Sequence, residues 1–303
     1  MSTATAVANQ KKQTSFGKSL KRWSRLLFRS ATGTIGFIIV VAVCLTAIFA
    51  PLLAPHDPGK MNPGAMTQPP MWEEGGSPEF VLGTDNLGRD MLSRIIYGSR
   101  VSLLVGIFSV VVAGAIGTTF GLLSGYYGGW VDSVIMRITD AFHSIPRTLL
   151  AMVVLAVLQA GVGTLIFVIG FTSWVQYARL IRSEVLSLKQ KEFVKAAITI
   201  GTPNYKIILK HVLPNVFSSF IVVSTLAVAA SIIAETALSF LGLGIQAPTV
   251  SWGLMLADGR NYLATHWWIC TFSGLAITVT VLGIMFLGNW LRDVMDPHNQ
   301  GIQ

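Results

Sequence analysis

The stretch VSLLVGIFSVVVAGAIGTTFGLLSGYYGGWV, residues 101–131, contains no Asp, Glu, Lys or Arg. A helix crosses the hydrocarbon core of a bilayer with roughly 20 mostly apolar residues, so this stretch is long enough to span a membrane. Other stretches share both properties: 30–56, 148–178, 211–234, 236–257 and 261–291. The sequence therefore predicts a helical integral membrane protein.

The composition of the 303-residue chain agrees with this prediction, because 52% of the residues are hydrophobic and only 12% are charged. Soluble domains carry about 25% charged residues. The net charge of +8 comes mainly from two basic segments beside apolar stretches, residues 11–29 and 179–210. Such segments are typical of cytoplasmic loops that contact the lipid bilayer, so we expect no nucleic-acid partner.

The stretch 148–178 is too long for one span and too short for two, which need roughly 40 residues. Gly161-Val162-Gly163 in its middle is typical of a turn. Both basic segments are expected to face the cytoplasm, so an even number of spans must separate them. We therefore predict a tight helical hairpin, 138–159 and 163–181. Its charged residues are expected at helix ends or facing the protein interior: Asp140, Arg147 and Arg179.

The predicted fold class is an all-α integral membrane protein with six transmembrane helices and both termini cytoplasmic. The predicted spans are 36–53, 101–123, 138–159, 163–181, 217–241 and 268–291. The first span exceeds the ~7–15 apolar residues of a cleaved signal peptide, so we expect it to remain as an anchor. Residues 1–32 are predicted to form a basic cytoplasmic tail, and residues 33–100 the first span with a proline-rich extracytoplasmic segment. Residues 101–291 are predicted to form the transmembrane core, which contains a cytoplasmic loop at 182–215. Residues 292–303 are predicted to form a cytoplasmic tail.

Prolines crowd the segment between the first two predicted spans: Pro51, Pro55, Pro58, Pro63, Pro69, Pro70 and Pro78. Because proline interrupts helices and central strands, this segment is predicted to be a loop or small cap outside the membrane. Toward its end, Thr84 or Asp85 is predicted to cap a short helix that runs to about Tyr97. The glycine-containing stretch 242–267 is predicted to be a second outside loop, partly re-entrant.

Small residues recur at every fourth position in the second predicted span: Ala113, Gly117, Gly121 and Gly125. Residues four apart lie one above another on a helix, so these positions form a stripe without bulky side chains. Such a stripe lets a second helix approach closely within a membrane. We interpret it as a packing surface.

Catalytic patterns are weak in this sequence. Gly17-Lys18-Ser19 resembles the end of a phosphate-binding loop, but Lys12 stands where that motif requires glycine. The five histidines lack metal-ligand spacing, and Cys44 and Cys270 lie inside apolar stretches. We therefore expect a chain that is not an enzyme and that binds no cofactor or metal itself.

The basic segment from Glu192 to Pro214 is predicted to form a helix, a break and a second helix. Gly201 and Pro203 are expected to end the first helix, and Pro214 to stop or kink the second. The small face formed by Ala196, Ala197 and Gly201 could enter a groove on a partner protein. Alternatively, the segment is an amphipathic helix on the inner leaflet, held by its lysines and Phe193. The residues alone leave both readings open.

The spacing of Ala196, Ala197, Gly201, Leu213 and Pro214 resembles the EAA signature of ATP-binding-cassette (ABC) importer permeases. Lys195 stands where that signature has glutamate. Further stretches resemble the dipeptide, oligopeptide and nickel branch of the family, in its second permease type: Ala50-Pro51-x-x-Ala54-Pro55, LGTDNLGRD at 82–90, LSFLGLG at 238–244 and LRDVMDP at 291–297. The resemblance covers the chain from about residue 30 onward.

The resemblance implies the ABC-importer permease fold, with the 192–214 segment docking on an ATPase subunit through Phe193, Lys195 and the signature residues. It implies a homologous sister permease, two ABC ATPase subunits that bind ATP and Mg²⁺, and an extracytoplasmic solute-binding protein. Peptides are the expected solutes, with nickel chelates or glutathione as alternatives within the family. A stand-alone channel or secondary transporter is the alternative from another class, and it predicts ionisable residues deep in several spans.

Two further sites have both a structural and a functional interpretation. Glu235 lies within the fifth predicted span, where a carboxylate faces either the pathway or the bundle interior. We favour a hydrogen-bonded structural role, because Glu235 is within two turns of the span's outer end. The other site is the motif at 83–90, which is either a structural cap or a contact to the sister permease or binding protein. We favour the structural cap. The motif consists of Gly83, Thr84, Asp85, Gly88, Arg89 and Asp90.

Overall fold

A computed structural model describes residues 26–159 and 161–295 of the chain. Most of the tails predicted at 1–32 and 292–303 therefore lies outside the described residues. The helices are α1 Ala31–Ile48, α2 Ala50–Leu53, α3 Met91–Tyr127, α4 Gly129–Ser144, α5 Arg147–Val157, α6 Val162–Lys189, α7 Glu192–Thr199, α8 Asn204–Ile207, α9 Leu213–Phe240, α10 Trp252–Gly259 and α11 Trp268–Met295. A π-helical turn at Ile208–Val212 joins α8 to α9.

Five helical segments are long and apolar enough to cross a membrane: α1, α3, α6, the joined α8–α9 segment and α11. The pair α4 and α5 meets the same criteria jointly but is bent by 86°. Counting the bent pair as one broken span gives the six predicted spans. Two helices, α5 and α6, occupy the region of the predicted hairpin and separate at 158–161.

The third span differs from its prediction as one continuous helix over 138–159. The helix is interrupted at Ile145 and Pro146, and Ile145 has extended backbone angles. Proline lacks an amide hydrogen and disfavours the helical conformation of the preceding residue. Sequence reasoning placed one continuous helix over 138–159 and overlooked this break.

The second span also differs from the prediction, because no separate short helix precedes it. Helix α3 runs without a break from Met91 to Tyr127. Its N-cap is Asp90, whose carboxylate accepts a hydrogen bond from the Ser93 amide, rather than Thr84 or Asp85. The first span is corrected as well: α1 ends at Ile48, and Pro51 occupies the first turn of the separate helix α2.

The predicted stripe of small residues on α3 faces α6. A Cβ added to Gly121 would lie 2.7 Å from the Cβ of Ile181, and one added to Gly125 would lie 2.8 Å from the Cβ of Val185. Ala113 is buried beside Tyr177. Helices α3 and α6 therefore pack at a distance that only small residues on α3 permit.

Candidate functional site

Helix α7 ends in a hydrogen-bonded cap that requires glycine. Gly201 has a φ of +77°, and its amide donates to the Ile198 carbonyl oxygen while the Thr202 amide donates to the Ala197 carbonyl oxygen. This pair of bonds is the Schellman arrangement, in which a left-handed residue follows the helix. A Cβ added at Gly201 would meet no atom within 4 Å, so backbone conformation rather than space explains the glycine.

The small-residue face predicted for α7 is therefore wrong. Gly201 lies beyond the end of the helix and does not stack above Ala197. Ala197 is 6% exposed and packs within this chain's own core, in a cluster that includes Val194, Ile181 and Val185. The inward face of α7 is thus already occupied by the chain's own side chains. Of the predicted small residues on this helix, Ala196 stays on the exposed surface.

The exposed surface of the 192–214 segment includes apolar and aromatic side chains among charged ones. Phe193 and Leu209 are about half exposed, while Ile200 is 80% and Tyr205 60% exposed. Lys195 is also exposed, and Leu213 and Pro214 lie at the start of α9. Sequence reasoning missed Ile200, Tyr205 and Leu209, because the loop and the π-helical turn that orient them have no simple hydrophobic period.

Pro214 does not stop the helix, contrary to one sequence expectation. The π-helical turn Ile208–Val212 precedes it, and the chain continues directly into α9. A π turn shifts the hydrogen-bond register, which accommodates the missing amide hydrogen of proline. The segment is consequently continuous with a membrane-spanning helix.

A polar contact joins the same segment to the end of α3, and the end of α3 is in turn bonded to the end of α6. The Tyr126 hydroxyl donates to Asn204 Oδ1 at 3.0 Å, which links α3 to α8. Lys189 Nζ donates to the Tyr126 carbonyl oxygen at 2.7 Å, at the junction of α6 and α3. A displacement of the 192–214 segment would therefore act on α3, α6 and α9 together.

A second site lies at the opposite end of α3, where the predicted motif at 83–90 is folded into the protein. Gly83 and Gly88 have φ values of +76° and +73°, and added Cβ atoms would collide with the backbone of the preceding segment. Thr84, Asp85 and Asp90 are buried. The Trp268 indole donates to the Thr84 carbonyl oxygen at 3.0 Å, which fixes the motif to the start of α11. These features favour the structural interpretation of the motif.

Asp85 is the centre of a buried ion-pair network. Its Oδ2 accepts from Arg89 Nε at 2.6 Å and from Arg94 Nη1 at 2.7 Å, and its Oδ1 accepts from the backbone amides of Leu87 and Arg89. Both arginines also reach Asp258 on α10, at 3.4 and 3.5 Å. Burial raises the pKa of the Asp258 carboxyl, while Arg94 and Arg89 oppose that rise. The network ties the start of α3 to α10.

Glu235 lies in the bundle interior, fully buried on α9. Its Oε1 accepts hydrogen bonds from Ser239 and Ser251, each at 2.9 Å. Ser251 in turn caps α10 by accepting from the Leu254 amide. This geometry supports the hydrogen-bonded structural role for Glu235, in which the carboxylate attaches α10 to α9. Ser251 is distant in sequence, so no local pattern indicated it.

The described residues contain no group of three or more His, Cys, Asp or Glu side chains arranged to hold a metal ion.

Two family models match the sequence. One is described as a binding-protein-dependent transport system inner membrane component and matches residues 117–300. The other is described as the N-terminal TM domain of oligopeptide transport permease C and matches residues 20–70.

Individual relatives match over nearly the whole chain. The di/tripeptide transport system permease protein of Pseudomonas aeruginosa is 39% identical over 89% of this chain and 88% of its own length. A probable D,D-dipeptide transport system permease protein of Escherichia coli is 37% identical, with 100% and 99% covered. The glutathione transport system permease protein of Pectobacterium atrosepticum is 38% identical, with 91% and 89% covered.

Among solved structures, a chain of the MetNI methionine ABC transporter in an inward-facing conformation is similar. The TM-score is 0.55, with 17% identity, 68% of this chain covered and 98% of that chain. At this identity the similarity shows the fold alone.

Proposed function

This chain belongs to the family of binding-protein-dependent transport system inner membrane components, and from that premise we propose its solute class, its partners and its coupling mechanism. The chain is a multi-pass permease subunit of a bacterial ABC importer in the inner membrane. We propose that its solutes are small peptides, because the relatives that match over most of the chain are named for dipeptides, oligopeptides and glutathione.

The proposed complex contains this chain, a homologous sister permease, two ABC ATPase subunits and an extracytoplasmic solute-binding protein. This chain forms half of the translocation pathway and catalyses no reaction itself. ATP and Mg²⁺ bind to the ATPase subunits, and closure of the ATPase dimer opens the two permeases outward. Such coupling requires that the permease–ATPase contact differ in free energy between the inward and outward states.

The observation that carries this mechanism is the exposed apolar surface of the 192–214 segment, which combines Phe193, Ile200, Tyr205 and Leu209. Exposed aromatic and aliphatic side chains on a rigid support are typical of the centre of a protein interface. The same segment is hydrogen-bonded to the end of α3, packs against α6 and continues into α9. We therefore place the ATPase contact on this surface rather than on the small-residue face.

Replacing both Ile200 and Tyr205 with Asp is expected to weaken ATPase docking. Loss of a central apolar contact costs about 2 kcal/mol or more, which is roughly 30-fold in affinity. The measurement is recovery of the ATPase subunits with the detergent-solubilised permease, together with solute-stimulated ATP hydrolysis. Detergent removes the inner leaflet, so a loss of recovery there cannot arise from a lost membrane contact.

Lys195→Glu is the matched control, because Lys195 is exposed on the same segment. One exposed ion pair contributes only ~0–1 kcal/mol, so this variant should dock and hydrolyse ATP almost normally. Unchanged recovery and coupling in the Ile200→Asp, Tyr205→Asp variant would reject the docking surface and favour the inner-leaflet helix.

The proposed orientation, with both termini and the 192–214 segment cytoplasmic, gives a labelling prediction. Single cysteines would replace the exposed residues Glu74 or Lys195 after Cys44 and Cys270 are changed to Ala. In intact cells, or in spheroplasts where an outer membrane is present, an impermeant thiol reagent should label position 74 and not position 195. Lysis should make position 195 reactive. Labelling at 195 before lysis would contradict the six-span topology.

A further inference from the structure

The break between α4 and α5 places a charged residue deep within the membrane. Helix α5 has 11 residues, from Arg147 to Val157, and is therefore about 16 Å long. The hydrocarbon core is about 30 Å thick. Since the Val157 end of α5 faces the short connection to α6, Arg147 at the other end lies about halfway across.

The contact made by Arg147 agrees with this depth. Arg147 Nη1 lies 3.5 Å from the hydroxyl oxygen of Ser173, which is near the middle of the 28-residue helix α6. That hydroxyl already donates to the Ile169 carbonyl oxygen at 2.5 Å. Within residues 26–159 and 161–295, no carboxylate oxygen lies within 4 Å of the Arg147 guanidinium.

The arginines of α6 differ from Arg147 in this respect. Arg179 pairs with Asp140 at 2.7 Å, and Arg182 pairs with Asp132 at 2.5 Å, both across to α4. Arg179 and Asp140 are thus paired with each other, although their side chains are 42% and 67% exposed. Arg147 is a cation at membrane depth whose protein partner is a single hydroxyl.

Both polar and apolar side chains beside the break are exposed, and Arg147 itself is partly buried. His143, Ser144 and Thr148 beside the break are all exposed in this chain. Charged and polar groups at this depth are too costly to face lipid, so they face water or another polar group. In transporters, broken helices with polar groups at their ends mark solute sites near the middle of the membrane.

We propose that Arg147 lies in the translocation pathway and binds the carboxylate of the passing solute. This inference rests on the proposed function, because a free peptide carries a terminal carboxylate. The planar guanidinium donates two parallel hydrogen bonds to a carboxylate, and a peptide supplies the acidic partner that α4 and α6 do not. The proposed site is a transient contact during passage, separate from capture by the solute-binding protein.

A labelling experiment tests the position independently of the solute. Arg147→Cys, with Cys44 and Cys270 replaced by Ala, would be treated with a hydrophilic, negatively charged thiol reagent in the assembled importer without ATP. Val153→Cys on the same helix is the control, since Val153 is 66% exposed but apolar. Position 147 should react and position 153 should not. An unreactive cysteine at 147 would overturn the proposal.

Uptake of a labelled dipeptide into vesicles tests the role of the charge. Arg147→Gln should lower the maximal uptake rate about tenfold or more, and Arg147→Lys should retain only part of it, because lysine keeps the charge but lacks the planar pair of donors. The concentration for half-maximal uptake should change little, because capture occurs on the binding protein. Equal rates for the Gln variant and the unmodified importer would overturn the proposal. No dipeptide uptake by the unmodified importer would reject peptides as the solute class, while the labelling result would still decide whether Arg147 lines the pathway.

Discussion

Replacing Gly117 with Leu is expected to disrupt the packing of α3 against α6 more severely than any surface change. A Cβ added at Gly117 would press against the Trp174 carbonyl oxygen and the Tyr177 Cβ. The first of these atoms belongs to a helix backbone and cannot move aside alone. Overpacking usually costs about 1–3 kcal/mol, and we expect about 3 kcal/mol or more here because the whole helix must shift.

The measurement is the temperature at which the solubilised complex stops eluting as one species in size-exclusion chromatography. Gly163→Leu on α6 is the matched control, because an added Cβ there meets no atom within 4 Å. Both substitutions gain helix propensity, so the control cancels that contribution. Equal thermal midpoints for the two variants would contradict the close packing of α3 on α6.

Replacing Asp85 with Ala is expected to be the most damaging loss of a charge. Arg94 is only 1% exposed, and Asp85 is the carboxylate closest to its guanidinium. Removing one partner of a buried ion pair leaves an uncompensated charge and costs about 3–5 kcal/mol. The substitution also removes the acceptor for the backbone amides of Leu87 and Arg89. We expect a marked loss of assembled complex in the membrane and a lower thermal midpoint.

Glu74→Ala is the control for this change, since Glu74 is an exposed acid of the same segment between α2 and α3. Its loss should move the thermal midpoint little, as surface substitutions usually lie within about 0.5 kcal/mol. An Asp85→Ala variant as stable as Glu74→Ala would show that the network does not hold α3 and α10 together.

Gly117 lies in the second half of α3, and Asp85 pairs with Arg94 near the start of the same helix. Helix α3 has 37 residues and is therefore about 55 Å long. Its first residues follow the Asp85 network, and Tyr126 near its last residue contacts the 192–214 segment. The helix thus connects the 83–90 motif to the proposed ATPase contact, which makes it suited to carry movement between them.

The sequence was sufficient for features that depend on local composition. Uncharged apolar stretches located the spans, and the four-residue spacing of Gly117 and Gly121 identified the packing stripe. Neither signal depends on the tertiary arrangement of the helices. The motif spacing likewise identified the family. The break at Pro146 was visible in the sequence but was overlooked, because one continuous helix was placed over 138–159.

Features that depend on distant partners could not be predicted. Glu235 was recognised as unusual, yet its partner Ser251 belongs to a different helix, and the contact between Arg94 and Asp258 spans most of the chain. The burial of Ala197 depends on how α7 docks against α6, which its small size did not reveal. Spacing indicated a small-residue face on α7, but only the tertiary structure showed that Ala197 is buried and Phe193 exposed.

The most direct test of the central claim is ATP-dependent uptake in reconstituted vesicles. The chain, its sister permease and the ATPase subunits would be assembled with the solute-binding protein, and a labelled dipeptide would be supplied on the binding-protein side. We predict uptake only when ATP is present on the side of the 192–214 segment, and loss of uptake when the ATPase subunits are omitted. Dipeptide uptake by this chain alone, driven by a proton or sodium gradient without ATP, would contradict the account and indicate a secondary transporter.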